Sequence, residues 1–302
     1  MKQKTCIIIT GPTAAGKTAL AIAIAQHFNT EIISADSRQC FREMSIGVAK
    51  PSAEQLQQVH HYFINSHSIH DDVNAAVFEQ YALQVADTIF QQHDVAVMVG
   101  GTGLYIKAFC EGLDDMPPVS QQVREQITSS FKEKGLEWLQ QQVQQHDPLY
   151  YSTGEIRNPQ RLMRALEIKL ATGQSIRSFQ QRKTINRPFN VIKTGLELPK
   201  EILHNNIDQR VHEMIAQGLT DEVRVLEPWR HLNALRTVGY SEMFDYLDGN
   251  ISLQEAIALI QKNTRQYAKR QMTWFKKDTS IQWFHPAALQ EVLSYCTAGM
   301  VR

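Results

Sequence analysis

The chain has 302 residues, 43% of them hydrophobic, and its 31 basic residues are balanced by 31 acidic ones. That length suggests about two domains with enough apolar core to fold unstapled, and charge balance means that a nucleic-acid partner would be held by a local basic face, not by overall attraction. Cys6, Cys40, Cys110 and Cys296 are far apart and form no C-x-x-C pair, which argues against a disulfide framework and a zinc ribbon and fits a reducing cytoplasm.

Met1-Lys2-Gln3-Lys4 leads into the apolar run Cys6-Ile7-Ile8-Ile9-Thr10, too short for a signal-peptide core, and no other run approaches membrane-spanning length, so no membrane partner is expected. The run reads as a strand. It enters Gly11-Pro12-Thr13-Ala14-Ala15-Gly16-Lys17-Thr18, a complete G-x-x-x-x-G-K-[ST] phosphate loop, and the helical Ala19-Leu20-Ala21-Ile22-Ala23-Ile24-Ala25 follows. A helix N-terminus leaves backbone N–H groups unpartnered, so a loop placed there wraps them around an anion while the helix dipole adds positive charge. Glycine at 11 and 16 permits the tight turn and close approach, the Lys17 ammonium reaches the outer phosphate, and the Thr18 hydroxyl can ligate magnesium. The loop therefore binds a phosphate or diphosphate without saying whose.

Glu31-Ile32-Ile33-Ser34-Ala35-Asp36 reads as a second buried strand ending in a carboxylate. Ligands of open α/β sheets sit at the carboxyl ends of the strands, which brings Asp36 toward the loop; a turn cap is its plainer role. Ile46 to Pro51 is irregular, and His60-His61-Tyr62-Phe63-Ile64 starts another strand. The spacing of His60, His61, His67 and His70 fits no zinc pattern, so hydrogen-bonding roles are expected of them. Ala75 to Gln92 has amphipathic helical spacing. Asp94 to Val99 is a further strand, which ends in Gly100-Gly101-Thr102-Gly103 where an ATPase commonly carries a magnesium-holding carboxylate. The glycines either allow another group close to the backbone or merely turn the chain.

From Asp114 to about Arg187 glutamine-rich helical segments follow Met116-Pro117-Pro118. Pro159 marks a helix start, and Arg157, Arg161 and Arg164 are spaced for one helix face, with Lys169, Arg177, Arg182, Lys183 and Arg187 nearby. That face is either a phosphate-backbone contact or a solvated surface. Phe189 to Leu198 returns as a strand that completes the sheet, helical patterning from Lys200 stops at Gly218, and Lys262 to Lys277 interleaves bases with Tyr267, Trp274 and Phe275. Such mixing suits RNA, although aromatics at helical spacing also serve a core.

These segments, with Ser34-Ala35-Asp36-Ser37, Ile46-Gly47-Val48-Ala49-Lys50-Pro51, Val99-Gly100-Gly101-Thr102-Gly103-Leu104-Tyr105, Asn158-Pro159-Gln160-Arg161-Leu162, Arg164-Ala165-Leu166-Glu167, Val238-Gly239-Tyr240 and Ala268-Lys269-Arg270-Gln271-Met272-Thr273-Trp274, resemble in order those of the bacterial tRNA dimethylallyltransferases, the isopentenyl (IPP) transferase family. The resemblance implies an α/β, P-loop NTPase-like parallel sheet flanked by helices: a core of 1–114 and 188–302, whose C-terminal helices contact tRNA, and a helical insertion domain of 115–187. It implies that Gly11, Pro12, Thr13, Ala14, Ala15, Gly16, Lys17 and Thr18 hold the diphosphate of dimethylallyl diphosphate, with Mg2+ on Thr18. By the same resemblance Asp36 is the base toward an adenosine amine, Thr102 hydrogen-bonds near that amine, and Arg210 assists at the diphosphate. Asp36, Ser37, Arg38, Gln39, Gln160, Arg161, Leu162, Met163, Arg164, Arg236, Gly239, Tyr240, Lys269 and Arg270 would face the tRNA anticodon stem-loop. A monomer is expected. Two other functions share the loop: an ATP-dependent small-molecule kinase and a non-catalytic RNA-binding protein.

Overall fold

The computed structural model describes residues 3–181 and 185–300. Two compact units divide the chain, Met1–Glu111 with Asn186–Arg302 and, separately, Gly112–Ile185; the sequence placed the insertion at 115–187.

In the first unit, β1 (Thr5–Thr10), β2 (Ile32–Ser34), β3 (His61–Tyr62), β4 (Val95–Val99), β5 (Asn190–Leu196) and β6 (Gln282–Phe284) form a parallel sheet in the order β3-β2-β4-β1-β5-β6. β1 lies between β4 and β5, with Ile7 opposite both Val97 and Ile192. Every β1 residue is buried, which explains an unbroken apolar run where a half-exposed strand would alternate. Side chains still alternate between two cores. Ile7 and Ile9 pack with Leu20 and Ile24 of α1 (Lys17–His27), while Cys6 and Ile8 share a core with Phe63, Phe78 and Phe109.

After the short α2 (Ala53–Gln58) comes α3 (Ala75–Gln92). It begins where Asn74 Oδ1 accepts the N–H groups of Ala76 and Val77, a side-chain cap that supplies what the first turn lacks. α4 (Gly103–Glu111) follows the glycine turn after β4.

The second unit comprises α5 (Gln121–His146), interrupted at Gly135 (φ 76), α6 (Pro148–Thr153), α7 (Pro159–Thr172) and α8 (Ile176–Phe179). Leu139 and Val143 of α5 pack with Leu162, Met163 and Leu166 of α7. The structure corrects several expectations here. Leu162 (0% exposed) and Met163 (7%) fill this core and cannot present side chains to RNA. Arg157 precedes the Asn158 cap and so shares no helix face with Arg161 and Arg164. Those two are not free cations either, since Arg161 pairs with Glu155 and Arg164 with Glu167. Gln160 is exposed. Arg182 and Lys183 lie outside the described residues.

Back in the first unit, α9 (Lys200–Ala216), α10 (Leu219–Leu226), α11 (Tyr240–Leu247), α12 (Leu253–Phe275) and α13 (Leu289–Met300) complete the helices. β5 does not finish the sheet as expected: β6 pairs outside it, and Trp283 lies over Gly195, where an added Cβ would meet its ring at 2.7 Å. No helix among the described residues is long and apolar enough to cross a membrane.

The ends of β2 and β4 are held together by backbone alone. Ala35 N–H donates to the Val99 carbonyl at 2.7 Å and Thr102 N–H to the Ala35 carbonyl at 3.2 Å. A Cβ on Gly100 would stand 2.2 Å from that Ala35 oxygen. Gly100→Ala is therefore expected to cost about 1–3 kcal/mol of stability, read as a lower denaturant midpoint; an unchanged midpoint would show that the two strand ends part freely.

Candidate active site

The phosphate loop leaves β1 at Gly11, whose left-handed backbone (φ +136) and close contact with the Leu196 carbonyl, 2.7 Å from an added Cβ, exclude a side chain. It closes at Gly16 (φ 82), the left-handed N-cap of α1, which makes no side-chain capping bond. Ala14 is also left-handed (φ 62), a conformation that costs a non-glycine residue energy and persists where the surroundings enforce it. The first N–H groups of α1 thus open onto a cavity of about 340 Å³ at the carboxyl ends of the strands, lined by the loop, Asp36, Gly100, Gly101 and Arg210.

Positive charge converges there. Lys17 Nζ donates to the Pro12 carbonyl at 2.6 Å. Enclosure by the loop strips water from the ammonium and pushes its pKa down to about 8; the Asp36 carboxylate opposes that shift and the Arg210 guanidinium adds to it. Arg210 of α9 donates to the Thr13 hydroxyl at 3.3 Å, and burial holds it below its ordinary value. Thr18 lines the same cavity and is the one hydroxyl of the loop placed by motif for a cation.

Asp36 faces the loop and also caps its own turn: Oδ1 accepts the N–H groups of Arg38 at 2.9 Å and Gln39 at 3.3 Å. Thr102, at the start of α4, accepts Ser37 N–H at 3.1 Å, which fixes it beside the same turn. Tyr267 of α12 hydrogen-bonds Thr102; burial raises its phenol to about 12, with Asp36 adding to the rise. A second cavity, of about 120 Å³, shares Asp36, Arg210 and Tyr267 with the first and is walled by Ile207, Val211, Met214 and Val238. One carboxylate therefore stands between the phosphate-loop motif and an apolar recess.

The glycine turn after β4 proves to be a place of close approach. Besides Gly100 against Ala35, a Cβ on Gly101 would meet Gln271 at 2.1 Å and one on Gly103 would meet Trp274 at 2.2 Å. No side chain fits at Gly100, so no carboxylate can stand there.

Other expected site residues are spread more widely. Arg38 lines the second cavity, while the Gln39 amide donates to the carbonyls of Val48 and Ala49, bracing the cavity wall. Lys269, Arg270 and Arg236 are exposed. Tyr240 is corrected: it is 0% exposed, its hydroxyl donates to Glu222 at 2.6 Å, and its ring fills the space beside Gly47, so it cannot face RNA. Gly239 is buried as well, with its N–H donated to Glu242. His61 bonds the Val59 carbonyl and His67 bonds Ser66, and among the described residues no group of three or more His, Cys, Asp and Glu is placed to hold a metal. Tyr267, Gln271 and Lys50 line the main cavity without having been expected to. Only their place in the Lys262–Lys277 run and the Ile46–Pro51 segment pointed toward them.

The lowered Lys17 pKa sets a pH dependence. The ammonium is charged below about 8 and neutral above, so affinity for a diphosphate monoester is expected to fall as pH rises through about 8, and Lys17→Met should bind weakly with a flat profile. Calorimetric titrations between about pH 7 and pH 9 check this; a constant wild-type affinity would contradict it.

The IPP transferase family model matches residues 39–278. The tRNA dimethylallyltransferase of Christiangramia forsetii is 49% identical over 278 residues, 92% of each chain. That of Cytophaga hutchinsonii is 44% identical over 298 residues, covering 99% of this chain and 98% of the relative. The crystal structure of the tRNA isopentenylpyrophosphate transferase from Bacillus halodurans superposes with a TM-score of 0.73 at 32% identity, over 99% of this chain and 97% of that one. A phosphate loop facing Asp36, with no carboxylate at the end of β4, is thus embedded in a chain that belongs to the IPP transferase family.

Proposed function

We propose that the protein transfers a dimethylallyl group from dimethylallyl diphosphate to the exocyclic amine of an adenosine in tRNA, releasing diphosphate. One observation carries this reading: the phosphate loop and Asp36 share a cavity in which β4 ends at a glycine that admits no side chain, so the site can grip a diphosphate but lacks the carboxylate of an ATP-hydrolysing enzyme. The relatives bear the name of this activity.

In the reaction the bond between the allylic carbon and the diphosphate oxygen breaks, a bond from the amine nitrogen to that carbon forms, and the amine proton passes to Asp36. Negative charge grows on the departing oxygens. The loop amides, Lys17 and Arg210 are preset against that charge and stabilise it more in the transition state than in the ground state. Magnesium suits the oxygen donors present: the Thr18 hydroxyl would hold it together with diphosphate and water oxygens, and it would neutralise further charge on the leaving group. Asp36 keeps one oxygen on its turn, which fixes the carboxylate for the amine, and the Thr102 hydroxyl stands beside that turn.

The acceptor we assign is the adenosine 3′-adjacent to the anticodon. Its base has to leave the stacked loop to reach Asp36, at a cost of a few kcal/mol that contacts to the RNA backbone offset. Exposed Lys269, Arg270 and Arg236 are the side chains we assign to such contacts. The protein acts as a cytoplasmic monomer in this reading.

Asp36→Asn is expected to fold, to bind tRNA, and to lose about 10²-fold or more in single-turnover transfer. Transfer of a labelled prenyl group to unmodified tRNA measures this, with ATP turnover followed in parallel. A near-normal rate in the variant, or ATP turnover without prenyl transfer in the wild type, would contradict the assignment.

A further inference from the structure

α12 carries Lys269 and Arg270 exposed, and next to them one buried polar side chain, Gln271, at 6% exposure. Its amide bridges the two glycine turns that frame the cavity. Oε1 accepts Thr13 N–H at 2.8 Å, and Nε2 donates to the Gly101 carbonyl at 3.0 Å. Thr13 continues the connection, since its hydroxyl accepts from Arg210 at 3.3 Å.

We propose that Gln271 is a positioning residue for the donor site: through Thr13 it fixes the entrance of the phosphate loop and, one hydrogen bond further, the Arg210 guanidinium. The chemistry of the amide matches the task. A primary amide accepts and donates from one planar group, so a single side chain satisfies a backbone donor on one turn and a backbone acceptor on the other. Glutamate of the same size keeps the acceptor and loses the donor; methionine of similar length loses both. The backbone has adapted to this clamp, because the Cβ that any other residue would bring to position 101 would stand 2.1 Å from Nε2. Because Thr13 N–H is engaged by Gln271, that amide orients the loop, and the anion falls to the amides that open α1. Buried groups left unpaired are costly, so losing the clamp should move the loop instead of leaving the Thr13 N–H and the Gly101 carbonyl without partners.

This role rests on the reading of the loop as the diphosphate site, and inorganic diphosphate tests it independently of prenyl chemistry. With the full chain and magnesium, calorimetry should show that Gln271→Met and Gln271→Glu each weaken diphosphate binding about tenfold. The KM for dimethylallyl diphosphate should rise in step while kcat changes less, in variants whose cooperative melts show them folded. In an Arg210→Ala background the Gln271→Met substitution should weaken binding much less than it does alone, because the two act through Thr13. Diphosphate affinity within about twofold of wild type in either folded variant, or full additivity with Arg210→Ala, would overturn the proposal. A wild-type chain that binds diphosphate but transfers no prenyl group would instead overturn the function assigned above, and the effect of Gln271 on diphosphate binding would still decide this one.

Discussion

Backbone amides at the start of α1 have no acceptor within their own helix, and Gly16 at its N-cap offers no side chain to supply one. β1 is buried on both faces at the centre of the sheet, which fixes the point where the loop begins. Gly11 turns against the Leu196 carbonyl, and Gly16 enters the helix left-handed without a capping side chain. Two cations are then brought to the same place, and both have pKa values depressed by loss of water. Concentrating positive charge in this way destabilises the free protein and prepares it for an anion; fixed dipoles and charges that need no rearrangement during the reaction are the most effective form of electrostatic catalysis.

The second constraint is the close passage of β2 and β4. Ala35 fits against Gly100 because neither presents a side chain at the contact, and this passage sets Asp36 one residue beyond, across the cavity from the loop. The carboxylate thereby moves from the strand end, where it would serve a metal, to a turn where it can serve a substrate proton. The same turn holds Ser37 against Thr102 and Gln39 against the wall at Val48 and Ala49, so one short segment ties the end of β4 to the cavity wall. Behind that wall, Glu222 takes the N–H groups of Ser45, Ile46 and Gly47, which anchors the irregular segment to α10.

What could be read from the sequence was local. The phosphate loop shows itself because strand, turn and helix are contiguous, and Ala75 to Gln92 because its apolar residues recur at helical spacing. Asp36 was legible through its position at a strand end, and its capping bonds proved compatible with that place, as one oxygen serves the turn. β6 was not legible, since three residues carry no period. Leu162, Met163 and Tyr240 lie in segments shared with the family, but a shared segment does not distinguish a side chain that packs from one that binds: Tyr240 fills the space that Gly47 leaves. Gln271 and Tyr267 looked like parts of a basic, RNA-facing run. Only the tertiary packing of α12 on the glycine turn shows that they line the cavity at the phosphate loop. The ion pairs of Arg161 and Arg164 are local, Glu167 lying three residues on from Arg164 and Glu155 six before Arg161, and the count of bases on that face overlooked them.

The central claim is that the loop at the start of α1 grips a diphosphate whose other end is a hydrocarbon. A crystal of the protein soaked with a non-reactive thio-analogue of dimethylallyl diphosphate and magnesium tests this most directly. The account requires diphosphate oxygens on the amides of Gly16, Lys17 and Thr18, with the allylic carbon directed toward Asp36. An empty loop, or one that takes up adenosine triphosphate in competition while excluding the analogue, would contradict it.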